Sequence, residues 1–196
     1  MIPPPPPRAP GSPLLVETGK ASWYGHPYHG RLAANGEVYD MEKLTAAHRT
    51  LPFDTWVHVV NISNQRAVDV RITDRGPFID GRVIDLSHAA ARQIELIGPG
   101  VAEVRLEILS MPETARSSGV YAVQVGAFRD KNNAERERAR LSARYGATKL
   151  VFREGNPSLW RVLVGAEKTQ DAADALRRKI LSESGETNAF VIRLES

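Results

Sequence analysis

The chain has 196 residues, of which 42% are hydrophobic and 25% charged, proportions typical of a globular protein with room for one large or two small domains. No segment approaches the roughly 20 consecutive apolar residues that a membrane-spanning helix needs. The sequence contains no cysteine, which excludes disulfides, thiolate metal sites and a lipid on an N-terminal cysteine in the chain as given. The net charge of +3 is uneven, with 10 basic and 11 acidic side chains over 20–110 but 14 and 10 over 120–196. The second half therefore carries a weak signal for binding an anionic polymer.

The first 110 residues predict a proline-rich linker followed by a β-rich domain. Residues 1–15 are predicted to form an extended linker, and they lack the charged start and apolar core of a secretory signal. The composition is therefore compatible with a location in the cytoplasm or in the cell envelope. Short strands are predicted near 16–25, 44–48, 55–62, 66–73, 83–85 and 101–109. A helix capped by Ser87 is predicted over 87–96. Six short strands with one or two short helices favour a closed β-barrel over 16–110.

The most informative stretch of this domain runs from Thr73 to Ser87. An alternating strand delivers Asp74, the sequence Arg75-Gly76-Pro77 breaks the alternation, and a second apolar run delivers Asp85. Two carboxylates thus lie at the ends of two strands, beside one glycine-rich loop. This arrangement indicates the rim of an active site. Each acid taken alone fits a turn or a helix cap about equally well.

Glu37 and His48 complete the set of candidate catalytic residues in this domain. Carboxyl groups packed beside apolar groups can hold one another partly protonated, as general acid catalysis requires. His48 alone is more often a hydrogen-bonded structural residue. Zinc binding by His26, His29 and His48 fits no ligand spacing, so neither a metal nor a cofactor is predicted.

The pattern changes after residues 111–119, which have no periodicity and are predicted to be a linker. Residues 120–196 follow the order β-α-β-β-α-β. Each half of this domain repeats Val-Gly-Ala where a strand ends, at 125–127 and at 164–166. If the valines of the first and third strands face the helices, Gln124 and Arg161 point to the open face of the sheet. They can bind a sugar or a phosphate there, or merely solvate the sheet.

Several segments together resemble the RlpA (rare lipoprotein A) family. In the first domain these are Gly19–Gly25, Ala33–Glu37, Leu44–His48, Leu51–Phe53 and Asp74–Ser87. In the second domain, Tyr121–Phe128 and Trp160–Gly165 resemble the two hallmark strands of a SPOR domain, which that family carries C-terminally. The resemblance covers essentially residues 19–196.

The resemblance implies a six-stranded double-psi β-barrel, related to expansins, followed by a ferredoxin-like βαββαβ SPOR domain. The implied activity is that of an endolytic peptidoglycan lytic transglycosylase. Such an enzyme cleaves between N-acetylmuramic acid and N-acetylglucosamine without water and leaves a 1,6-anhydro end. The family's motif positions correspond to Glu37, His48, Asp74 and Asp85. From its place at the mouth of the loop, Asp74 is expected to be the acid/base, with Asp85 or Glu37 stabilising positive charge. His48 is expected to have an orienting role in the site.

The SPOR resemblance implies binding to glycan strands stripped of stem peptides, which concentrate at the division septum. Gln124 and Arg161 are the expected contacts. Strand parity turns Trp160 away from their face, and Phe128 is then the candidate stacking residue. A periplasmic monomer that does not bind nucleic acid is expected, with outer-membrane association only where a precursor carries a lipidated N-terminus.

Three other interpretations remain open. The strongest is a wall-binding septal protein whose expansin-like barrel binds glycan without cutting it. An RNA-binding βαββαβ domain is disfavoured because the third strand, 159–165, lacks the paired aromatic residues of the RNA-binding signature. An ordinary hydrolase would differ by leaving reducing ends.

Overall fold

The computed structural model describes residues 16–113, 119–154, 157–186 and 188–194. The chain divides into two compact units, which fall within residues 1–116 and 117–196. The predicted linker 1–15 and most of the predicted linker 111–119 lie outside the described residues. Within those residues, each helix is too short or too polar to cross a lipid bilayer.

The first unit is a closed barrel of six strands. They are β1 (Val16–Tyr24), β2 (Thr45–His48), β3 (Trp56–Asn61), β4 (Ala67–Asp74), β5 (Arg82–Ser87) and β6 (Ala102–Ser110). Around the barrel the strands follow the order β1-β5-β2-β4-β3-β6. The pairs β1/β5 and β2/β4 are parallel, whereas the remaining neighbours are antiparallel. This confirms the predicted double-psi barrel.

Alternation along the strands builds the barrel core. In β4, for example, Val68, Val70 and Ile72 are buried in it, and the other strands contribute in the same way. Helix α1 (His88–Gln93) packs against the barrel core through Ala90 and Ala91. Its first turn is capped by the Ser87 hydroxyl, which accepts a hydrogen bond from the Ala90 N–H at 3.2 Å. The helix ends earlier than predicted because Glu95 adopts a positive φ of 57°.

The second unit is a four-stranded antiparallel sheet with two helices. Its elements are β7 (Val120–Phe128), α2 (Lys131–Tyr145), β8 (Thr148–Arg153), β9 (Leu159–Glu167), α3 (Gln170–Ser184) and β10 (Phe190–Leu194). The strand order β10-β7-β9-β8 is that of the predicted ferredoxin-like βαββαβ fold. Both helices begin at a capping side chain, Asp130 for α2 and Thr169 for α3.

One face of this sheet meets the helices. Val123 and Val125 of β7 and Val162 and Val164 of β9 pack there against apolar residues of α2 and α3. The prediction that these four valines face the helices is confirmed.

Candidate active site on the barrel and candidate binding faces of the second domain

Two of the predicted acids lie in one row across the outer wall of the barrel. The strand register places Ser22 beside Asp85, Asp85 beside Ala47, and Ala47 beside Asp74. Chain neighbours such as Ile84 lie in the core, so these four residues face outward. We call Ser22, Asp85, Ala47 and Asp74 the acid row. Its two carboxylates flank Ala47, with about 10 Å between their Cα atoms, which is two strand spacings.

A one-residue irregularity in β4 brings Asp74 into this row. Ala46 of β2 lies beside Ile72, but the next residue, Ala47, lies beside Asp74, so Thr73 is an extra residue in β4. Without it, Asp74 would continue the alternation of Ile72 and face the core. A bulge often redirects a side chain at the edge of a functional site in this way. Asp74 is 7% exposed, close to the surface but protected from bulk water.

A short hairpin, residues 30–39, is fastened onto the end of β4. Leu32 and Val38 form its antiparallel bridge. At its turn, the Asn35 N–H donates to the Thr73 carbonyl at 3.1 Å, and the Ala34 N–H donates to Asp74 Oδ1 at 3.0 Å. Asp74 Oδ1 also accepts from the Arg75 N–H at 2.7 Å. Two backbone donors therefore fix the orientation of this carboxyl group.

Glu37 lies on the same hairpin and forms an ion pair with β4. Its carboxylate accepts from Arg71 Nη1 at 3.0 Å and from Arg71 Nη2 at 2.5 Å. These bonds above all lower the pKa of Glu37 below its ordinary value. The Glu37 side chain is 50% exposed, so a carboxylate kept in its charged form is available to a substrate.

Asp85 is also held in a fixed position. The Ser22 hydroxyl donates to Asp85 Oδ1 at 2.8 Å, and Arg82 Nη2 donates to the same oxygen at 2.5 Å. These bonds hold the Asp85 carboxyl group in one orientation on the outer wall, facing the same side as Asp74.

His48 lies elsewhere. It stands beside Ile84 at the end of β2, on the inner side of the barrel, and is buried. Its Nδ1 accepts from the backbone N–H groups of Thr50 and Leu51 at 3.2 and 3.0 Å, so the proton is on Nε2, which donates to Glu17 Oε2 at 3.1 Å. Burial lowers the pKa of His48. Its ring is thus neutral and outside the acid row, but its carbonyl accepts from Arg75 Nη1 at 3.2 Å.

Three tyrosines beside the acid row were not predicted as site residues. Tyr24 follows Ser22 by two positions, and its ring stacks on that of Tyr39 with centroids 4.4 Å apart, while the exposed Tyr28 meets Tyr24 edge-on at 6.1 Å. Burial first, and then the negative charge of Asp74, raise the pKa of Tyr39. Tyr39 is buried whereas Tyr28 is 42% exposed, so among these rings Tyr28 offers an aromatic surface to a ligand. The shared parity of Tyr24 and Ser22 was the available sequence signal.

The three histidines considered as zinc ligands do not come together. The rings of His26 and His29 meet at 5.7 Å in the loop after β1, whereas His48 is bonded to Glu17 inside the barrel. Among the residues that the structure describes, no three His, Asp or Glu side chains are grouped as metal ligands would be.

In the second domain Gln124 lies on the predicted face, away from the helices, but that face is not bare. Phe190 of β10 and Leu163 of β9 lie on either side of Gln124. Gln124 is only 5% exposed, and its apolar neighbours are buried too. The expectation of an open polar surface around Gln124 is therefore wrong, because the strands contribute large apolar side chains to both faces. Arg161 lies on the same face, beside Ala127 and Val151.

Phe128 and Trp160 lie on the opposite face. Between Gln124 and Gly126 strand β7 contains an extra residue, Val125, so Phe128 pairs with Trp160 on the helix side. The ring of Trp160 contacts that of Phe152 at 4.8 Å, and Lys131 Nζ lies 5.0 Å from the centre of the Trp160 ring. Trp160 is turned from the Arg161 face as predicted. The choice of Phe128 as its substitute there is wrong, since simple alternation ignored the extra residue.

Comparisons with known proteins agree for both units. A family profile described as "Lytic transglycolase" matches residues 16–106, and a SPOR domain profile matches residues 117–193. A protein of Vibrio cholerae named endolytic peptidoglycan transglycosylase RlpA is 37% identical over 184 residues, 90% of this chain and 69% of that protein. A Campylobacter jejuni protein of the same name is 35% identical over 89% of this chain and 71% of its own length. A Synechocystis protein named probable endolytic peptidoglycan transglycosylase RlpA is 56% identical over 94 residues, 48% of this chain and 29% of that protein.

Proposed function

Since the chain belongs to the RlpA family, we propose that its barrel cleaves peptidoglycan glycan strands as a lytic transglycosylase. The bond cut is that between N-acetylmuramic acid and N-acetylglucosamine, and the product is a 1,6-anhydro-muramyl end. The second domain binds the strand, with a preference for strands free of stem peptides. Peptidoglycan lies in the cell envelope, and the division septum, where such strands concentrate, is the proposed place of action. We further propose that the protein acts as a monomer.

The acid row is the observation that carries the proposal. Asp74 and Asp85 face the same side of the barrel wall with only Ala47 between them, and the hairpin brings Glu37 to the Asp74 end. Glycosidic cleavage needs a proton donor on one side of the bond and negative charge near the developing oxocarbenium ion.

Asp74 is proposed as the acid and then the base. Its carboxyl proton goes to the glycosidic oxygen as the bond from that oxygen to muramyl C1 breaks. The resulting carboxylate then takes the proton of the muramyl 6-hydroxyl as that oxygen bonds to C1. Asp85 and Glu37, each held in place by an arginine, are proposed to stabilise the positive charge at C1.

His48 is proposed to position rather than to react. Its ring is bonded inside the barrel, and its carbonyl holds the Arg75 guanidinium next in sequence to Asp74. In the second domain Arg161 is proposed to contact the strand from the face away from the helices, whereas Gln124, which is buried on that face, is proposed to support it. Phe128 and Trp160 would then support the sheet from the other side.

A digest of purified, peptide-free glycan strands followed by mass spectrometry tests the activity. Wild-type protein is expected to release anhydro-muramyl products, and Asp74→Asn is expected to lose roughly 1,000-fold or more of the rate, because an amide can neither give nor take the proton. Asp69→Asn is the matched control, since Asp69 lies on the same strand but is bonded to His58.

The alternatives predict different products. Anhydro products from both wild type and Asp74→Asn would keep the enzyme and move the acid to Asp85 or Glu37. Reducing ends would indicate a hydrolase. A folded wild type that binds strands and releases nothing would be a non-catalytic wall-binding protein.

A further inference from the structure

Arg71 is a buried cation in β4, three positions before Asp74 of the acid row. It lies in β4 between Thr45 of β2 and Trp56 of β3, and its side chain is only 7% exposed. Because Val70 and Ile72 face the core, Arg71 points to the outer wall, on the same side as Asp74. A charge removed from water is unfavourable unless it is paired with good geometry.

Two carboxylates from two different segments meet this guanidinium. Glu37 of the hairpin takes one bond from each terminal nitrogen, at 3.0 and 2.5 Å. Asp54, in the turn before β3, accepts from Nη1 at 2.5 Å. A planar guanidinium can bond to both at once, whereas a lysine ammonium is a single point charge. Arg71 therefore joins the hairpin, the turn and the strand.

The hairpin is bonded to β4 at three nearly successive positions. Glu37 bonds to the side chain of Arg71, the Asn35 N–H to the carbonyl of Thr73, and the Ala34 N–H to the carboxyl of Asp74. The first of these is the one bond in this series that uses a side chain of the hairpin, and the last fixes the proposed acid. Displacing Glu37 would therefore also displace the donor to Asp74.

We propose that Arg71 is a positioning residue of the active site, which holds the hairpin so that Glu37 faces the substrate and Ala34 keeps its bond to Asp74. This rests on the function proposed above. Arg71 itself is covered by the hairpin and touches neither the glycan nor the reacting atoms.

The charge state of Glu37 gives this proposal a readout that packing alone would not move. Arg71 lowers the pKa of Glu37, with smaller help from Asn35 and Lys43, while Asp54 shares the same guanidinium. A depressed pKa keeps the carboxylate charged down to lower pH. Loss of Arg71 returns the pKa of Glu37 towards its ordinary value, so the acid limb of the rate profile should move to higher pH.

Arg71→Gln and Arg71→Lys test the proposal, assayed on peptide-free glycan strands across pH for kcat and KM. In Arg71→Gln we expect kcat to fall roughly 10- to 100-fold with a smaller change in KM, because the acid is misplaced. The acid limb of the pH–rate profile should shift to higher pH. Arg71→Lys should return the acid limb of the pH–rate profile to its wild-type position but recover only part of the wild-type kcat. Arg66→Gln is the matched control, since it breaks an exposed ion pair with Glu95 and should leave both unchanged.

Carbon NMR of the Glu37 carboxyl and hydrogen exchange of the Ala34 amide provide readings without turnover. In a folded Arg71→Gln chain, Glu37 should titrate at higher pH than in the wild type and the Ala34 amide should exchange faster. An active wild type with unchanged kcat and pH profile in folded Arg71→Gln would overturn this inference alone. An inactive wild type would overturn the proposed function and, with it, a catalytic role for Arg71.

Discussion

The two domains each contain a strand with one residue too many, and the consequences are opposite. In the barrel, Thr73 brings Asp74 onto the outer wall beside Ala47 and into the same row as Asp85. In the second domain, Val125 moves Phe128 off the face of Gln124 and onto that of Trp160. One irregularity gathers candidate residues and the other separates them. Alternation therefore predicts a shared face only within an uninterrupted ladder.

Among the tests of this comparison, the largest effect should come from enlarging the residue between the two acids. Ala47→Leu places a branched side chain between Asp74 and Asp85 and against Gly76, where an added Cβ would already lie 3.8 Å from that of Ala47. We expect activity to fall at least about 100-fold through misplacement of the sugar. The counterpart in the second domain, Ala127→Leu, lies on an exposed surface and should leave cleavage of short strands unchanged.

Strand digestion and thermal unfolding of both variants would check this comparison. Ala47→Leu that unfolds like the wild type but cleaves normally would show that the sugar does not lie across the acid row. Ala47→Gly, which only enlarges the space, should retain activity and guards against a merely structural loss.

A smaller effect should distinguish the two faces of the second sheet. Arg161→Gln should weaken binding to peptide-free strands about tenfold, or about 1.4 kcal/mol, since it removes a charge-assisted hydrogen bond. Phe152→Ala should have little effect, although Phe152 is 47% exposed, because it lies on the Trp160 face. Sedimentation with insoluble glycan would measure both. If Phe152→Ala weakened binding more than Arg161→Gln, the glycan would instead bind on the face that carries Phe152 and Trp160.

The smallest effect concerns the inner side of the barrel. Burial lowers the pKa of His48, so the unfolded chain takes up the proton more readily, and stability should be full above about pH 6.5 and fall as pH drops below it. Thermal unfolding between pH 7.5 and 5 should show this fall in the wild type and a flatter profile in His48→Gln. His29→Gln, at an exposed histidine, should keep the wild-type profile.

Much of this architecture could be predicted from the sequence because it depends on local patterns. The valines of β4, the Ser87 cap and the Val-Gly-Ala repeats of the second domain all report short-range preferences. The motif positions also located Glu37, Asp74 and Asp85 in one domain. What could not be predicted depends on contacts between distant segments.

Arg71 and His48 show this limit. In the sequence, Arg71 is one polar residue in an alternating strand, and only the hairpin 34 positions earlier makes it a buried anchor. His48 lies at the end of a strand, as predicted. Its ring nevertheless lies on the inner side of the barrel, where it is bonded to Glu17, 31 positions away. Neither partner is signalled by spacing or composition.

Closure of the barrel has a consequence for self-association. Each of its six strands has a neighbour on both sides, so the backbone of the acid row offers no edge to another chain. The second sheet instead ends at β8 and β10. Lys149 and Arg153 place charge on β8, whereas β10 is mostly apolar. Unwanted strand addition should therefore begin at β10 and leave the acid row intact.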